Sequence, residues 1–406
     1  MDLTILFDHR FYRDRHNYFS VKGYCYSFFA ERYLQVFDRI RIVARVSDNF
    51  VNSTGREPVQ GDNVEIISLG DWRGPVEFLL KGGSVAQKLR RALLLKTAII
   101  MIVPGTVASI AVNPLAQSRR PYGLEVVADP HDLFLPHAHT HPLRSLFQHW
   151  YVHRLQYLCH NACTVSYVTQ HALQQRYPPG PSTFSLGCSD VDLPATAFVP
   201  RSRPNSGRKE NYTLISVGTM AQYYKAQDVL IDAVAICVRE GLNLRLVLVG
   251  DGKYRTEMEK RAQTQGIGDR VYFCGQLPAG DAVRTQLDQA DVFVLPSRQE
   301  GLPRAMVEAM ARALPCVGTA VGGIPELLSA ESIVPPNAPS ALAAKIREVL
   351  EDPGRLACLS ARNLEVSQEY RAERLAGYRL SFYEHLREQT QHWLNARYSG
   401  PTSLCF

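Results

Sequence analysis

The sequence predicts an α/β protein made of two doubly wound, Rossmann-like domains. Three observations lead there. At 406 residues the chain is long for one ordinary domain and sufficient for two, each with its own core. Short apolar runs alternate with amphipathic stretches, as in a parallel sheet covered on both faces by helices. Near the middle, a polar stretch with two prolines and no apolar period, residues 199–211, interrupts that alternation. The expected organisation is therefore an N-terminal domain over residues 1–198, a linker over 199–211, a C-terminal domain over 212–375, and a terminal helix over 376–406 that packs back toward the N-terminal domain.

Composition narrows the function class. Hydrophobic residues make up 46% and charged residues 21%, which argues for a globular chain against a disordered or fibrous one. The net charge of +6 suits anionic ligands or an anionic membrane surface. No aromatic-plus-basic motif of the RNA-binding kind is present, and no nucleic-acid partner is expected. Nine cysteines, odd in number and without a repeated paired spacing, argue against a disulfide framework and for a reducing, cytoplasmic location. The start, Met1-Asp-Leu-Thr-Ile-Leu-Phe, has too short an apolar core for a signal peptide. Residues 92–112 are largely apolar, yet Lys96 and the Pro104-Gly105 turn divide them. A buried strand followed by a helix is expected there, not a membrane span of about 20 residues.

In the first half, strands are expected at residues 3–7, 39–46, 64–69, 97–103, 124–128 and 164–168, and helices at 24–37, 141–162 and 169–176. Residues 8–23 read as a loop. In the second half, strands are expected at 213–217, 244–249, 271–274, 292–295 and 315–318. Helices fit 225–240, 253–265, 280–289, 304–313 and 324–328, and residues 340–396 read as helical.

Four features of the second half fall at strand ends, where a doubly wound sheet binds its ligands. Gly218-Thr219 ends the first strand, and Lys225 follows; a glycine there admits a phosphate and the lysine neutralises it. Gly250-Asp251-Gly252 ends the second strand. Glu300-Gly-Leu-Pro-Arg-Ala-Met-Val-Glu308 places one glutamate in the loop before a helix, Pro303 at the helix start, and a second glutamate inside the helix. The free N–H groups of that helix start point at the same place. Gly322-Gly-Ile-Pro-Glu326 is a glycine pair leading into another helix.

Together with Phe273-Cys-Gly-Gln276, these motifs closely resemble the donor domain of the family 4 retaining glycosyltransferases, which have the GT-B fold. The resemblance covers residues 217–328 well and the first half loosely. It implies two Rossmann-like domains facing across a cleft, and transfer of a sugar from a nucleotide-sugar donor to a glycan or lipid-linked acceptor. By position, Glu300 is then expected to face the transferred sugar, with the amides of Gly301 and Leu302 on the sugar and distal phosphate. Glu308 is expected on the ribose hydroxyls, Lys225 on the pyrophosphate, and Gly275-Gln276 near the base. Gly218, Thr219, Gly250 and Gly252 complete the donor-binding set. No cofactor or divalent metal is expected, because lysine and helix amides supply the charge stabilisation. The family usually carries an arginine where this chain has Thr219; Arg298 and Arg304 are the candidate replacements.

In the first half, the strand that leads into Asp129-Pro-His131 resembles the family strand ending in an active-site histidine, which places His131 beside the donor sugar. Residues 103–109 form an acceptor-side loop. His137, His139 and His141 alternate, and Cys159 and Cys163 are four apart, but no second ligand pair with metal-site spacing accompanies them. Lys81, Lys88, Arg90, Arg91 and Lys96, interleaved with leucines, suit peripheral contact with anionic lipid at the inner face of the membrane. Two other functions fit the same residues: a nucleotide-sugar epimerase of the same fold, and a non-catalytic subunit that binds a sugar nucleotide or a partner transferase.

Overall fold

The computed structural model describes residues 1–21, 23–48, 57–134 and 143–398. The first half folds in the order β1 (Leu3–Asp14), β2 (Asn17–Ser20), α1 (Tyr26–Tyr33), β3 (Ile40–Ser47), β4 (Glu57–Pro58), β5 (Val64–Ser68), α2 (Gly74–Leu93), β6 (Ala98–Val103), α3 (Thr106–Ser118), β7 (Gly123–Val126), α4 (Pro130–Leu133), α5 (Arg144–Asn161), β8 (Thr164–Tyr167), α6 (Ala172–Arg176) and β9 (Phe184–Gly187). Seven strands form a parallel sheet in the order β5-β3-β1-β6-β7-β8-β9. Every residue of β6, Ala-Ile-Ile-Met-Ile-Val, is buried, as a strand covered on both faces requires. Pro104-Gly105 thus divides this apolar stretch into β6 and α3, as expected; the loop expected at 103–109 shrinks to those two residues, since Val103 ends β6 and Thr106 starts α3.

Residues 8–20 do not form a loop. The register of β1 against β3 shifts between Phe7 and Arg10 and then runs on to Tyr12. From Tyr12 β1 also pairs antiparallel with β2, Tyr12 opposite Phe19 and Asp14 opposite Asn17, and β2 pairs with β4. The tyrosines, arginines and asparagine there look like loop residues because their side chains stay partly or fully exposed; Phe11 is the one large residue the ribbon buries completely. β9 was also not anticipated: two of its four residues are exposed, so it lacks an apolar pattern.

The second half runs β10 (Tyr212–Val217), α7 (Gln227–Arg239), β11 (Leu244–Val249), α8 (Arg255–Thr264), β12 (Val271–Gly275), α9 (Asp281–Gln289), β13 (Val292–Leu295), α10 (Arg304–Ala311), β14 (Cys316–Thr319), α11 (Ile324–Leu327), β15 (Ile333–Val334), α12 (Pro339–Glu351), α13 (Pro353–Ser367) and α14 (Ala372–Tyr398). Its strands are all parallel, in the order β12-β11-β10-β13-β14-β15. The order reverses between β10 and β13, which opens a crevice beyond their carboxyl ends.

α14 returns to the first sheet. A side chain at Gly123 on β7 would come within 3.0 Å of Phe382 and 3.2 Å of Leu386. The half-buried Glu125 of β7 accepts hydrogen bonds from Tyr33 of α1 at 3.1 Å and Tyr383 of α14 at 3.2 Å. Burial raises the Glu125 pKa, opposed by Arg32 and by the two tyrosine hydroxyls. No helix among the described residues is long and apolar enough to cross a membrane.

Candidate active site

The strand ends around the crevice between β10 and β13 bring together Gly218, Lys225 and Glu300 of the residues singled out by sequence. β10 ends at Val217, and the turn Gly218-Thr219 follows. A side chain at Gly218 would press on the Lys225 stem, 3.1 Å from its Cγ, so the glycine lets the lysine lie across the strand end. Lys225 Nζ donates to Glu300 Oε1 at 2.6 Å. The same oxygen accepts from Ser297 Oγ, also at 2.6 Å, and Ser297 is fully buried at the end of β13. Glu300 is itself buried, its side chain only 7% exposed. A buried carboxylate needs a charged partner and hydrogen bonds, and Lys225 and Ser297 supply both through one oxygen. The amides of Gly301 and Leu302 and of Thr219 donate to no group among the described residues. They are free to bind an anion beside Lys225.

Sequence reading missed Ser297 as a site residue. The usable signal was a hydroxyl three residues before the glutamate at a strand end. Thr219 is placed at the turn, but its side chain is used internally: Oγ1 donates to the Asp251 carbonyl at 3.2 Å and accepts from Ala221 N at 3.1 Å. Arg298 does not take the place of the missing arginine. It forms a double ion pair with Asp228, at 2.8 and 2.7 Å, and also donates to Asn337 and to the Tyr223 carbonyl. Arg304 differs: it is exposed at the start of α10 and makes no ion pair among the described residues. Its charge bears on Glu308, on Tyr224 and on Tyr24 of the first half. Of the two candidates, Arg304 is the one available to a ligand.

The Gly250-Asp251-Gly252 turn packs directly on the Gly218 turn. Gly250 and Gly252 have φ of 135° and 155°, and a side chain at either would run into the backbone of Gly218 or of Met220-Ala221. Glycine is therefore demanded by both conformation and space. Gly275, at φ 72°, ends β12, and its carbonyl accepts from Gly250 N at 2.9 Å. Gln276 is exposed beside it, its amide donating to the Leu277 carbonyl at 3.2 Å. Glu308 is half-buried on α10 and its carboxylate has no hydrogen-bond partner among the described residues. Burial pushes its pKa up, opposed by Arg284 and Arg304.

The opposite wall is the carboxyl end of β7. Asp129 caps α4, accepting from His131 N at 2.8 Å, and is held by Tyr177 and Arg176. The His131 ring lies 3.0 Å from Asp132 through Nδ1 and is 42% exposed. It touches neither Lys225 nor Glu300. The walls meet instead where Gly301 lies on β7: a side chain there would come within 2.8 Å of the Val127 carbonyl and 3.4 Å of Val168. Among the described residues, no group of three or more His, Cys, Asp or Glu side chains is arranged to hold a metal. His137, His139 and His141 lie outside the described residues. Burial pushes the Cys159 and Cys163 thiols up to about 12, which leaves them un-ionised.

Residues 211–352 match the family model of the glycosyl transferases group 1. The chain is 26% identical to Protein CapJ of Staphylococcus aureus over 386 residues, covering 90% of this chain and 94% of that one. It is 33% identical over 163 residues to the 2-deoxystreptamine glucosyltransferase of Streptomyces kanamyceticus, covering 38% and 41% of the two chains. Among solved structures, sucrose-phosphate synthase from Thermosynechococcus elongatus superposes with a TM-score of 0.68 at 16% identity, covering 95% of this chain and 99% of that one. HepE from Anabaena, solved in complex with UDP-glucose, superposes at 0.61 with 16% identity, covering 96% and 99%. The family model matched over residues 211–352, the relative aligned along nearly all of the chain and the shared architecture agree: the chain has the GT-B fold and is similar to the group 1 glycosyltransferases, most clearly in its second half.

Proposed function

We propose that this glycosyltransferase, which serves polysaccharide or glycoconjugate biosynthesis, is a retaining, metal-independent enzyme of family 4. On this reading it moves a sugar from a nucleotide-sugar to a glycan or lipid-linked acceptor. The observation that carries it is the meeting of Lys225, Glu300 and the free amides of Gly301 and Leu302 at the switch point of the second sheet. Lys225, Arg304 and those amides stabilise the departing nucleoside diphosphate, the task a divalent cation performs elsewhere. Glu308 receives the ribose hydroxyls, Gly275-Gln276 lies beside the base, and Glu300 and His131 hold the sugar from opposite walls. HepE was solved with UDP-glucose, so uridine donors are the first to test.

Glu300 Oε1 is occupied by Lys225 and Ser297, which favours a positioning role over that of a covalent nucleophile. Retention then follows from attack on the face that the leaving group departs. The bond from the anomeric carbon to the phosphate oxygen breaks, the bond to the acceptor oxygen forms, and the acceptor proton passes to the departing phosphate. A closed cleft protects the donor from water.

The reading includes a cytoplasmic location with peripheral contact at the inner face of the membrane. Leu79 and Leu80 of α2 are 78% and 83% exposed, and Lys88, Arg90 and Arg91 are exposed further along the same helix, a combination of apolar and basic side chains that suits anionic lipid. Lys81 contributes less, since it donates to the Asp71 carbonyl at 2.6 Å. Co-flotation with anionic liposomes at low salt and release at high salt is expected; no association at low salt would remove this part.

The central test offers UDP-, GDP-, ADP- and TDP-sugars in the presence of chelator and follows nucleoside diphosphate release, with Glu300→Ala as control. Release from one donor by wild type alone is expected. Absence of both release and donor binding would point to a non-catalytic subunit, and interconversion of the donor without transfer would point to an epimerase.

A further inference from the structure

The Gly322-Gly-Ile-Pro-Glu326 motif plays no part in the donor contacts proposed above, yet its glutamate accepts three hydrogen bonds from the first half. Glu326 sits on α11 of the second half. Its Oε1 accepts from the amides of His171 at 2.9 Å and Ala172 at 2.6 Å, and its Oε2 accepts from the amide of Gln170 at 2.6 Å. Gln170 and His171 belong to the turn between β8 and α6 in the first half, and Ala172 is the first residue of α6. One carboxylate thus takes up three consecutive backbone N–H groups of the other domain, each a charge-assisted bond.

The same segment is fastened to the donor turn. Gly323 N donates to the Gly301 carbonyl at 2.7 Å. A side chain at Gly323 would come within 2.8 Å of both that carbonyl and Leu302, and within 3.2 Å of Thr169 in the first half. Gly301 in turn lies on the Val127 carbonyl, two residues before the Asp129 cap that holds the His131 amide. A continuous set of contacts therefore runs from Gln170-Ala172 through Glu326 and Gly323 to Gly301, and back to β7.

We infer that Glu326 is a positioning residue for sugar transfer: it fixes the Glu300–Leu302 turn against the β7 wall that carries His131. It touches neither donor nor acceptor and acts by setting the distance between the two walls. This rests on the proposed function for its kinetic consequence, but the domain clamp itself can be measured without turnover.

The test compares wild type with Glu326→Ala, Glu326→Gln and Glu326→Asp. In small-angle scattering without donor, Glu326→Ala is expected to give a larger radius of gyration or a broader distance distribution. Hydrogen exchange at the amides of Gln170, His171 and Ala172 is expected to quicken. Donor dissociation constants should stay within about threefold of wild type, while kcat for transfer falls at least tenfold and hydrolysis of the donor rises relative to transfer. Glutamine, which keeps one acceptor oxygen, and aspartate, which is one methylene shorter, should fall between. A destabilised fold would lower donor binding and turnover together, which overturns the inference, as does unchanged scattering in Glu326→Ala or unchanged transfer. Should Glu326→Ala not fold, the glutamine and aspartate variants decide by the same readouts. If wild type transfers no sugar but the scattering and exchange change as stated, the proposed function fails and the clamp stands.

Discussion

Replacing Glu308 with glutamine is expected to move folding stability and donor affinity in opposite directions. The carboxylate is half-buried and has no hydrogen-bond partner among the described residues. Burial raises its pKa, and the charges of Arg284 and Arg304 offset the shift only in part. A carboxyl whose pKa is higher in the folded state binds protons more tightly when folded. Its charged form therefore costs stability as pH rises from the ordinary carboxyl value through the raised one, and nothing below both. Glutamine has the same shape and no charge, so at pH 7 to 8 the variant should be at least as stable as wild type. The difference should vanish toward pH 4.

The ligand side has the other sign. Two hydrogen bonds from ribose hydroxyls to a charged acceptor are worth about 1.5–3 kcal/mol each. Glutamine keeps one oxygen and loses the charge. A loss of about 2 kcal/mol weakens binding roughly 30-fold, at 1.4 kcal/mol per factor of ten. Calorimetric unfolding at several pH values and titration with the nucleoside diphosphate measure the two quantities separately. A variant that melts lower yet binds nucleotide normally would refute the reasoning, because Glu308 would then be part of the fold and not of the ribose site.

Other expected outcomes follow the same geometry. Gly252→Ala combines a φ of 155° with a clash against Met220-Ala221; a cost of about 2–3 kcal/mol is expected, seen as a melting point lower by roughly 5–10 °C for a domain of this size. Arg304→Gln should leave stability within about 0.5 kcal/mol, since the residue is exposed. It should weaken nucleoside diphosphate binding about tenfold at low salt, with the deficit shrinking as ionic strength rises; equal affinities at low salt would exclude Arg304 from the phosphate site. Tyr383→Phe removes one of two tyrosine donors from the half-buried Glu125, at a cost of about 1–3 kcal/mol. The Glu125 pKa, already raised by burial, should rise further, so the stability deficit should be greater at pH 8 than at pH 5. A deficit independent of pH would mean that the hydroxyl serves packing alone.

The donor half was legible in the sequence because its information is local. β11 and β13 run over the residues that their apolar runs mark; Gly218 and Gly250 follow a strand directly, Gly275 ends one, and the Glu300 turn comes shortly after β13. In a parallel sheet all strands point one way, so residues that follow strands gather on one edge wherever they stand in the chain. The first half was less legible. The exposed ribbon of β1 and β2 has no apolar face to give it a period, and β9 is half exposed.

Residue type and strand-end position, both carried by the sequence alone, thus determined two doubly wound domains and the sheet edge at which Gly218, Lys225 and the Glu300 turn gather. Tertiary structure decided the partners. Lys225 and Glu300 are 75 residues apart, and Glu326 reaches amides 154 to 156 positions away. It also decided that Thr219 stitches two turns together, that Arg298 belongs to Asp228 while Arg304 stays available, and that Ser297 completes the Glu300 site. A periodic pattern fixes the face on which a side chain lies. The atom it bonds to depends on how separate strand ends and the two domains are set against each other, and that is a property of the packed molecule.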